Sequence, residues 1–128
     1  MESNPPKFSM CFEIKNHTYQ EMQDAFLFYQ KAFGAKKLKE FFPYQSDENN
    51  LHIIMEIHGI DILLHPGGDD ANQCGGSWEF EREDVQGLQN AINVLSKDAR
   101  SVRMESWPHW PITAFIVDKY GVSWALHN

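Results

Sequence analysis

The first part of the chain alternates hydrophobic and polar residues and then changes to a helical spacing. Apolar side chains occupy every second position over residues 8–14, which predicts a strand with one buried face. Thr18 and Glu21 then form a capping-box pattern, apolar residues recur at helical spacing over 22–33, and Gly34 stands at the stop position. These features predict a helix that ends at Gly34.

Three further strands are predicted before a glycine-rich segment. Residues 37–44 and 51–58 are rich in aromatic and β-branched side chains and are separated by a polar turn at 45–50, a pattern typical of a hairpin. After Gly59 the chain continues into an apolar segment at 60–65. Residues 66–76 carry turn formers and no periodicity, so we interpret them as a linker.

The same order of elements returns after the linker. Residues 77–82 predict a short strand, and Asp84 precedes a helix with an apolar stripe over 85–95. The last three predicted strands cover residues 100–105, 113–117 and 122–127. Both halves therefore have the order strand, helix, strand, strand, strand.

One constant offset aligns the two halves without gaps. It pairs Gly59 with Gly121 and His65 with His127, and it also pairs apolar positions of the two helices. Repetition at a fixed offset indicates a duplicated unit. We therefore predict one α+β domain over residues 1–128, with βαβββ modules at 8–65 and 77–127 joined by the linker at 66–76.

Composition and charge limit the classes of partner. With 42% hydrophobic and 23% charged residues, the chain resembles an ordinary globular protein. Eighteen acidic against eleven basic residues give a net charge of -7, which argues against a nucleic-acid or membrane partner. Residues 1–7 lack the layout of a secretion signal, no apolar run approaches the roughly 20 residues of a membrane span, and Cys11 and Cys74 form no disulfide framework. We expect a cytoplasmic protein.

Two motifs resemble a known superfamily. The segment DKYGVSW, residues 118–124, is similar to the D-K-F-G-V-x-W signature of the PhnB-like branch of the vicinal oxygen chelate superfamily, which includes glyoxalases, bleomycin-resistance proteins and extradiol dioxygenases. The segment FYQKAFGA at residues 28–35 and the doubled βαβββ order resemble the same superfamily. The resemblance implies a curved mixed sheet around a cleft, a divalent metal held by the first and last strands of both modules, and a homodimer.

The metal ligands implied by the resemblance are missing from this chain. Carried over by pattern, their positions fall on Ser9, Leu63, Ser77 and Ala125. Protein sites for zinc, nickel or iron need imidazole, carboxylate or thiolate donors. We therefore expect neither the usual metal site nor another cofactor, and the catalytic residues stay unknown.

A second set of side chains lies two residues further along the same strands. Residues two apart on a strand share a face, and this step leads to Cys11, His65, Glu79 and His127. One thiolate, two imidazoles and one carboxylate are a reasonable ligand set for zinc. The alternative is that both histidines face solvent, the thiol is inert and the carboxylate pairs with a base. We treat the four residues as candidates for the ligand-binding cleft.

Two other groupings carry less weight. His52, Glu56 and His58 share one strand face, but the polar side of a half-buried strand explains them better than a ligand set. Cys11 with a histidine as base would make a nucleophile, although nearby acidic residues oppose a lowered pKa of its thiol.

Aromatic residues complete the predicted cleft. Trp107 and Trp110 lie in a proline-rich segment that the resemblance places at the walls of the cleft, and Arg100 and Arg103 are the positive groups available to an anionic ligand. Aromatic walls with few polar groups are typical of a small-molecule site, although core packing would also account for some of the rings.

The sequence thus predicts a PhnB-like, glyoxalase-fold protein that binds a small molecule or acts as an enzyme on an unknown substrate. Two alternatives stay open. One is a metal-dependent glyoxalase or lyase that uses the displaced residues, with the metal as a Lewis acid. The other is a resistance protein that sequesters a cationic drug in an acidic cleft, which the net charge of -7 would suit.

Overall fold

The computed structural model describes residue 6 and residues 8–15, 18–43 and 49–128. Within these ranges the chain alternates strands and helices in the predicted order. The elements are β1 (Met10–Ile14), α1 (Tyr19–Phe33), β2 (Lys36–Phe41), β3 (His52–Ile57), β4 (Ile60–Pro66), β5 (Gln73–Glu79), α2 (Val85–Ser96), β6 (Ser101–Glu105), β7 (Thr113–Val117) and β8 (Val122–His127).

The strands form two four-stranded mixed sheets. The first sheet has the order β1-β4-β3-β2 and the second the order β5-β8-β7-β6. In each sheet the first and last strands of one half are parallel, and the other pairs are antiparallel. Helix α1 packs on β3 and β4, α2 packs on β7 and β8, and the two helices contact each other. This arrangement confirms the predicted α+β class and the βαβββ order of each half.

The ends of both helices are those that the sequence predicts. The Thr18 hydroxyl accepts a hydrogen bond from the Glu21 N–H at 3.1 Å, and Gly34 adopts φ 71° at the other end of α1, a left-handed conformation that glycine adopts without strain. At α2 the Asp84 carboxylate accepts a hydrogen bond from the Gly87 N–H at 3.0 Å. The predicted stripe of α2 is one residue too long, because Val85 is 44% exposed.

One face of each sheet packs against the helices. On the first sheet the buried face includes Phe12 and Ile14, and the Phe12 ring contacts Tyr29 of α1. The alternate residues point to the opposite side. We call that side the open face of each sheet, and it carries every candidate site residue that lies in a strand.

A buried carboxylate explains the DKYGVSW motif. Asp118 is 0% exposed and accepts hydrogen bonds from the Tyr29 hydroxyl at 2.7 Å, the Trp124 indole at 2.9 Å, and the N–H groups of Tyr120 at 2.8 Å and Val122 at 3.1 Å. Burial raises the pKa of Asp118, and these hydrogen bonds oppose the rise. The motif therefore closes the β7–β8 turn and ties it to α1.

Three strands, β1, β2 and β5, have bounds that differ from the predictions by more than one residue. β1 begins at Met10, because Phe8 is 83% exposed and so gains little from burial in a strand. β2 ends at Phe41, and most of the predicted turn at 45–50 lies outside the described residues. β5 begins at Gln73, inside the predicted linker, because Gly75 lets the backbone approach β8: a Cβ there would lie 2.5 Å from the Ser123 carbonyl oxygen.

Candidate functional site

A cavity of about 560 Å³ occupies the open face of the second sheet. Its volume lies within the range of ordinary small-molecule pockets. We call it the β5–β8 cavity. The residues that line it are Cys74, Gly76, Ser77, Ser101, Arg103, Phe115, Ile116, Val117, Ser123, Trp124 and Ala125.

One row of side chains crosses this cavity from β5 to β6. Ser77 is paired with Ala125, Ala125 with Phe115, and Phe115 with Arg103. Adjacent strands lie about 4.8 Å apart, so the four residues form a line across the sheet. The line has a hydroxyl at one end, an apolar middle and a guanidinium at the other end.

Arg103 is the one charged residue among those that line the cavity. Its guanidinium lies over the Phe115 ring at 4.6 Å, and its Nε is 3.7 Å from a carboxylate oxygen of Glu105. Its side chain is 67% exposed, so the ion pair is weak and screened by water. Arg103 is therefore available to an anionic group of a ligand.

Ser77 and His127 make a polar pair at the opposite end of the row. Ser77 Oγ lies 3.2 Å from His127 Nε2, within hydrogen-bond distance. Trp110 packs against the imidazole with 4.8 Å between ring centres. The other ring nitrogen, Nδ1, is buried and has no hydrogen-bond partner among the described residues.

The strand register changes which residues are equivalent in the two halves. Cys11 is paired with Leu63 in the first sheet, as Ser77 is paired with Ala125 in the second. Cys11, rather than Ser9, is therefore the counterpart of Ser77, and Ser9 lies outside β1. A set with one thiol, one hydroxyl and two aliphatic side chains does not fit a divalent metal.

The structure does not bring the displaced candidates together as a ligand set. Glu79 is paired with His127 and Glu13 with His65, whereas Cys11 lies one row away from His65. Across the parts of the chain that the structure describes, no group of three or more His, Cys, Asp or Glu side chains is arranged to hold a metal.

His65 has instead an imidazole neighbour from β3. Its ring packs edge-to-face against His52 with 4.6 Å between centres. His52 is buried, its Nδ1 lies 3.2 Å from the Asn50 carbonyl oxygen, and burial and the charge of His65 lower its pKa while this hydrogen bond opposes the shift. His52 was predicted on the polar side of a half-buried strand, but the packing of Phe41 and His65 on its ring covers it.

Cys11 is a poor candidate for a nucleophile. Partial burial raises the pKa of its thiol, and the neighbouring Glu13 carboxylate adds to the rise. A raised pKa reduces the thiolate fraction at neutral pH, and the thiolate is the reactive form.

The predicted wall residues have different surroundings. Trp110 contacts His127, whereas the Trp107 indole donates a hydrogen bond to Glu105 at 3.4 Å. Neither tryptophan lines the cavity itself. Arg100 donates hydrogen bonds to the Asp70 carbonyl at 2.7 Å and the Asn72 side chain at 2.9 Å, so it anchors the segment between β4 and β5.

Sequence reasoning missed the part of the cavity floor that β7 supplies. Phe115 and Val117 line it, and they alternate with buried residues along β7. The period of two marks them as residues of one face. The pattern alone does not predict that these side chains line a cavity.

Solved structures match the doubled βαβββ architecture along almost the whole chain, and they confirm the fold that the resemblance implies. A PhnB protein from Bacillus cereus is 16% identical, with 95% of this chain and 98% of that chain covered and a TM-score of 0.68. A fosfomycin resistance protein, FosX, from Listeria monocytogenes, solved with manganese(II) and sulfate, is 16% identical over 99% of this chain and 90% of its own, with a TM-score of 0.63. TioX from Micromonospora sp. is 12% identical over 95% of this chain and 98% of its own, with a TM-score of 0.62.

These likenesses establish the fold and leave the activity open. No protein-family model matches the chain, and no curated protein matches it. Among the described residues, neither helix is long and apolar enough to cross a membrane.

Proposed function

We propose that the protein binds a small molecule with an apolar body and one anionic group in the β5–β8 cavity. The observation that carries this proposal is the row from Ser77 to Arg103, with Ala125 and Phe115 between its polar ends. The apolar middle favours burial of a hydrocarbon or aromatic body. The guanidinium at the β6 end favours a carboxylate or a similar anion.

The donor set supports binding that does not use the usual metal tetrad. At the four equivalent positions, Cys11 supplies the one side chain that commonly ligates metals, and Leu63 and Ala125 supply none. The small side chains of Ser77 and Ala125 leave room for a ligand at the same place. A ligand could therefore occupy the position where the resemblance implies a metal ion.

The charge of the cavity discriminates between the ligand classes. The net charge of -7 favours a cationic drug at long range, but the one charged residue that lines the cavity is Arg103. Contact with a guanidinium whose single ion pair, to Glu105, is weak and exposed to water disfavours a cation and favours an anion. The proposal therefore commits to an anionic ligand.

Three probes of similar shape test this function. We expect phenylacetate to shift the backbone NMR signals of Ser77, Phe115 and Ser123, and to bind at least tenfold more tightly than phenylacetamide and phenethylamine, a difference of about 1.4 kcal/mol. Arg103→Met removes this preference. Lys36→Met, an exposed cation on the first sheet, is the control and keeps it.

Two results would contradict the proposal. One is the absence of shifts at the cavity residues with all three probes at millimolar concentration. The other is tighter binding of phenethylamine than of phenylacetate, which would favour sequestration of a cationic compound.

The homodimer that the resemblance implies also stays a proposal. Val102 is 46% exposed, Met104 is 52% exposed and Trp107 is 51% exposed. All three lie on or next to β6, at the unpaired edge of the second sheet. Exposed apolar side chains at a sheet edge are suited to an interface.

A further inference from the structure

A hydroxyl and an imidazole meet at the β5 end of the β5–β8 cavity, where Ser77 is exposed. Ser77 Oγ and His127 Nε2 are 3.2 Å apart, and Ser77 lines the cavity. We propose that Ser77 is a nucleophile, that His127 is the general base that activates it, and that the pair transfers the acyl group of an ester-like substrate. The proposal uses the same cavity as the ligand proposed above and so rests on small-molecule binding there.

The position of Ser77 allows a carbonyl group to approach it. Its neighbour across the row is Ala125, whose methyl group is the smallest side chain that a strand can offer besides glycine. The apolar floor continues to Phe115. A substrate whose body lies on Phe115 therefore presents a carbonyl carbon above Ala125, next to the hydroxyl.

The surroundings of His127 suit a base. Trp110 packs on the ring and holds its plane, and Nδ1 is turned into the protein. In the tautomer with the proton on Nδ1, Nε2 accepts a hydrogen bond from the Ser77 hydroxyl, which is the arrangement that removes a proton during attack.

The charges around His127 set the expected rate. Glu79 lies in the same row as His127 on β5, so its negative charge favours the imidazolium that forms during attack. No carboxylate accepts a hydrogen bond from Nδ1 among the described residues, in contrast to a complete triad. We therefore expect one rapid acylation followed by slow turnover.

The chemistry balances without a further reactant except water. Ser77 Oγ forms a bond to the carbonyl carbon while its proton passes to His127 Nε2. The ester C–O bond breaks, and the leaving alkoxide takes that proton from His127. Water then attacks the acyl-serine with the same base, releases the acid and restores the hydroxyl.

The other nucleophiles of the cavity provide internal comparisons. Ser101 and Ser123 line the same cavity, and within the described part of the chain no hydrogen bond joins either of them to a histidine. Cys74 also lines it and is exposed, so its thiol would compete for an acylating reagent. A Cys74→Ala background removes that competition.

The test uses p-nitrophenyl acetate on the full chain with Cys74→Ala. We expect a burst of p-nitrophenolate close to one equivalent, with the acetyl group mapped by mass spectrometry to Ser77 and not to Ser101 or Ser123. Ser77→Ala abolishes the burst, and His127→Gln slows it at least tenfold. The control is His109→Gln. His109 is exposed and packs against Trp110, and its substitution should leave the burst unchanged.

Three outcomes would overturn the proposal. They are no acetyl group on Ser77, equal acetylation of the three serines, and an unchanged burst in His127→Gln. Should a variant unfold, labelling of unsubstituted protein with diisopropyl fluorophosphate decides, because that reagent modifies activated serines. Acetylation of Ser77 that persists in Arg103→Met separates this proposal from the proposed anion binding.

Discussion

Single side chains determine the chemistry of both open faces. On the second sheet, Ser77 and Arg103 place two polar groups at the ends of an apolar row. On the first sheet, His52 and His65 pack their rings together, and His52 is 6% exposed. Burial of an imidazole disfavours its charged form. Protonation of His52 at low pH should therefore destabilise the first sheet.

The free energy of unfolding should decrease as the pH falls from 7.5 to 5.5, in part because of His52. Burial lowers the pKa of His52 in the folded state below the ordinary value of 6.5, so the unfolded chain binds more protons in this range. The stabilisation is present above pH 6.5 and is lost as the pH falls through the lowered pKa. Urea unfolding at several pH values measures it.

Matched variants isolate the contribution of His52. The decrease should be smaller in His52→Gln and unchanged in His109→Gln, whose side chain is exposed. In His65→Gln the pKa of His52, followed by NMR of the ring protons, should rise towards 6.5, because a neighbouring charge is removed. Equal pH dependence in His52→Gln and unsubstituted protein would refute the assignment.

At the scale of elements, β5 is the strand whose position depends most on glycine. Cys74 and Gly76 flank an irregular register against β8. A Cβ at Gly75 would lie 2.5 Å from the Ser123 carbonyl oxygen and 2.7 Å from Val122 Cγ1, whereas one at Gly76 would meet nothing within 4 Å. The two adjacent glycines therefore have different roles.

Gly75→Ala should destabilise the protein by about 2 kcal/mol, because the added methyl group forces β5 away from β8. Gly76→Ala should change the free energy of unfolding by less than about 0.5 kcal/mol. Denaturant midpoints at constant slope measure both values. Equal effects of the two substitutions would mean that the close approach at Gly75 does not constrain the strand.

The predicted bounds agree with the structure where capping residues or alternating apolar residues mark an element locally. The strands at 113–117 and 122–127 have the bounds of β7 and β8, and the caps at Thr18, Gly34 and Asp84 are confirmed. The predicted start of β5 was wrong, because the glycine-rich composition of residues 73–76 is typical of a linker. Only their contact with β8, which is distant in sequence, gives them the conformation of a strand.

At the scale of the whole molecule, a buried hydrogen bond joins the two halves. The Tyr29 hydroxyl of α1 donates to Asp118 at 2.7 Å, and the Tyr29 and Phe33 rings pack against Trp124. Burial, together with the charge of Asp118, raises the pKa of Tyr29 well above its ordinary value, so the phenol stays a donor. We propose that residues 1–128 therefore unfold as one domain.

Tyr29→Phe should destabilise the protein by about 2 kcal/mol, because a buried carboxylate loses a donor. Tyr120→Phe is the control: its ring packs against Tyr29, but its hydroxyl makes no hydrogen bond to Asp118, and we expect a change below about 0.5 kcal/mol. Both variants should unfold in a single transition when followed by fluorescence and circular dichroism. Two separate transitions would show that the halves fold independently.

The order of elements, the helix caps and the DKYGVSW turn follow from the sequence by itself, because each depends on residues within a few positions of one another. The sequence also determines that metal donors are missing at Leu63 and Ala125. Only the tertiary structure decided that Ser77 meets His127, that His52 meets His65, and that Arg103 lies at the end of the row. These neighbours depend on strand register, which is set by packing between distant segments and leaves no period in the chain.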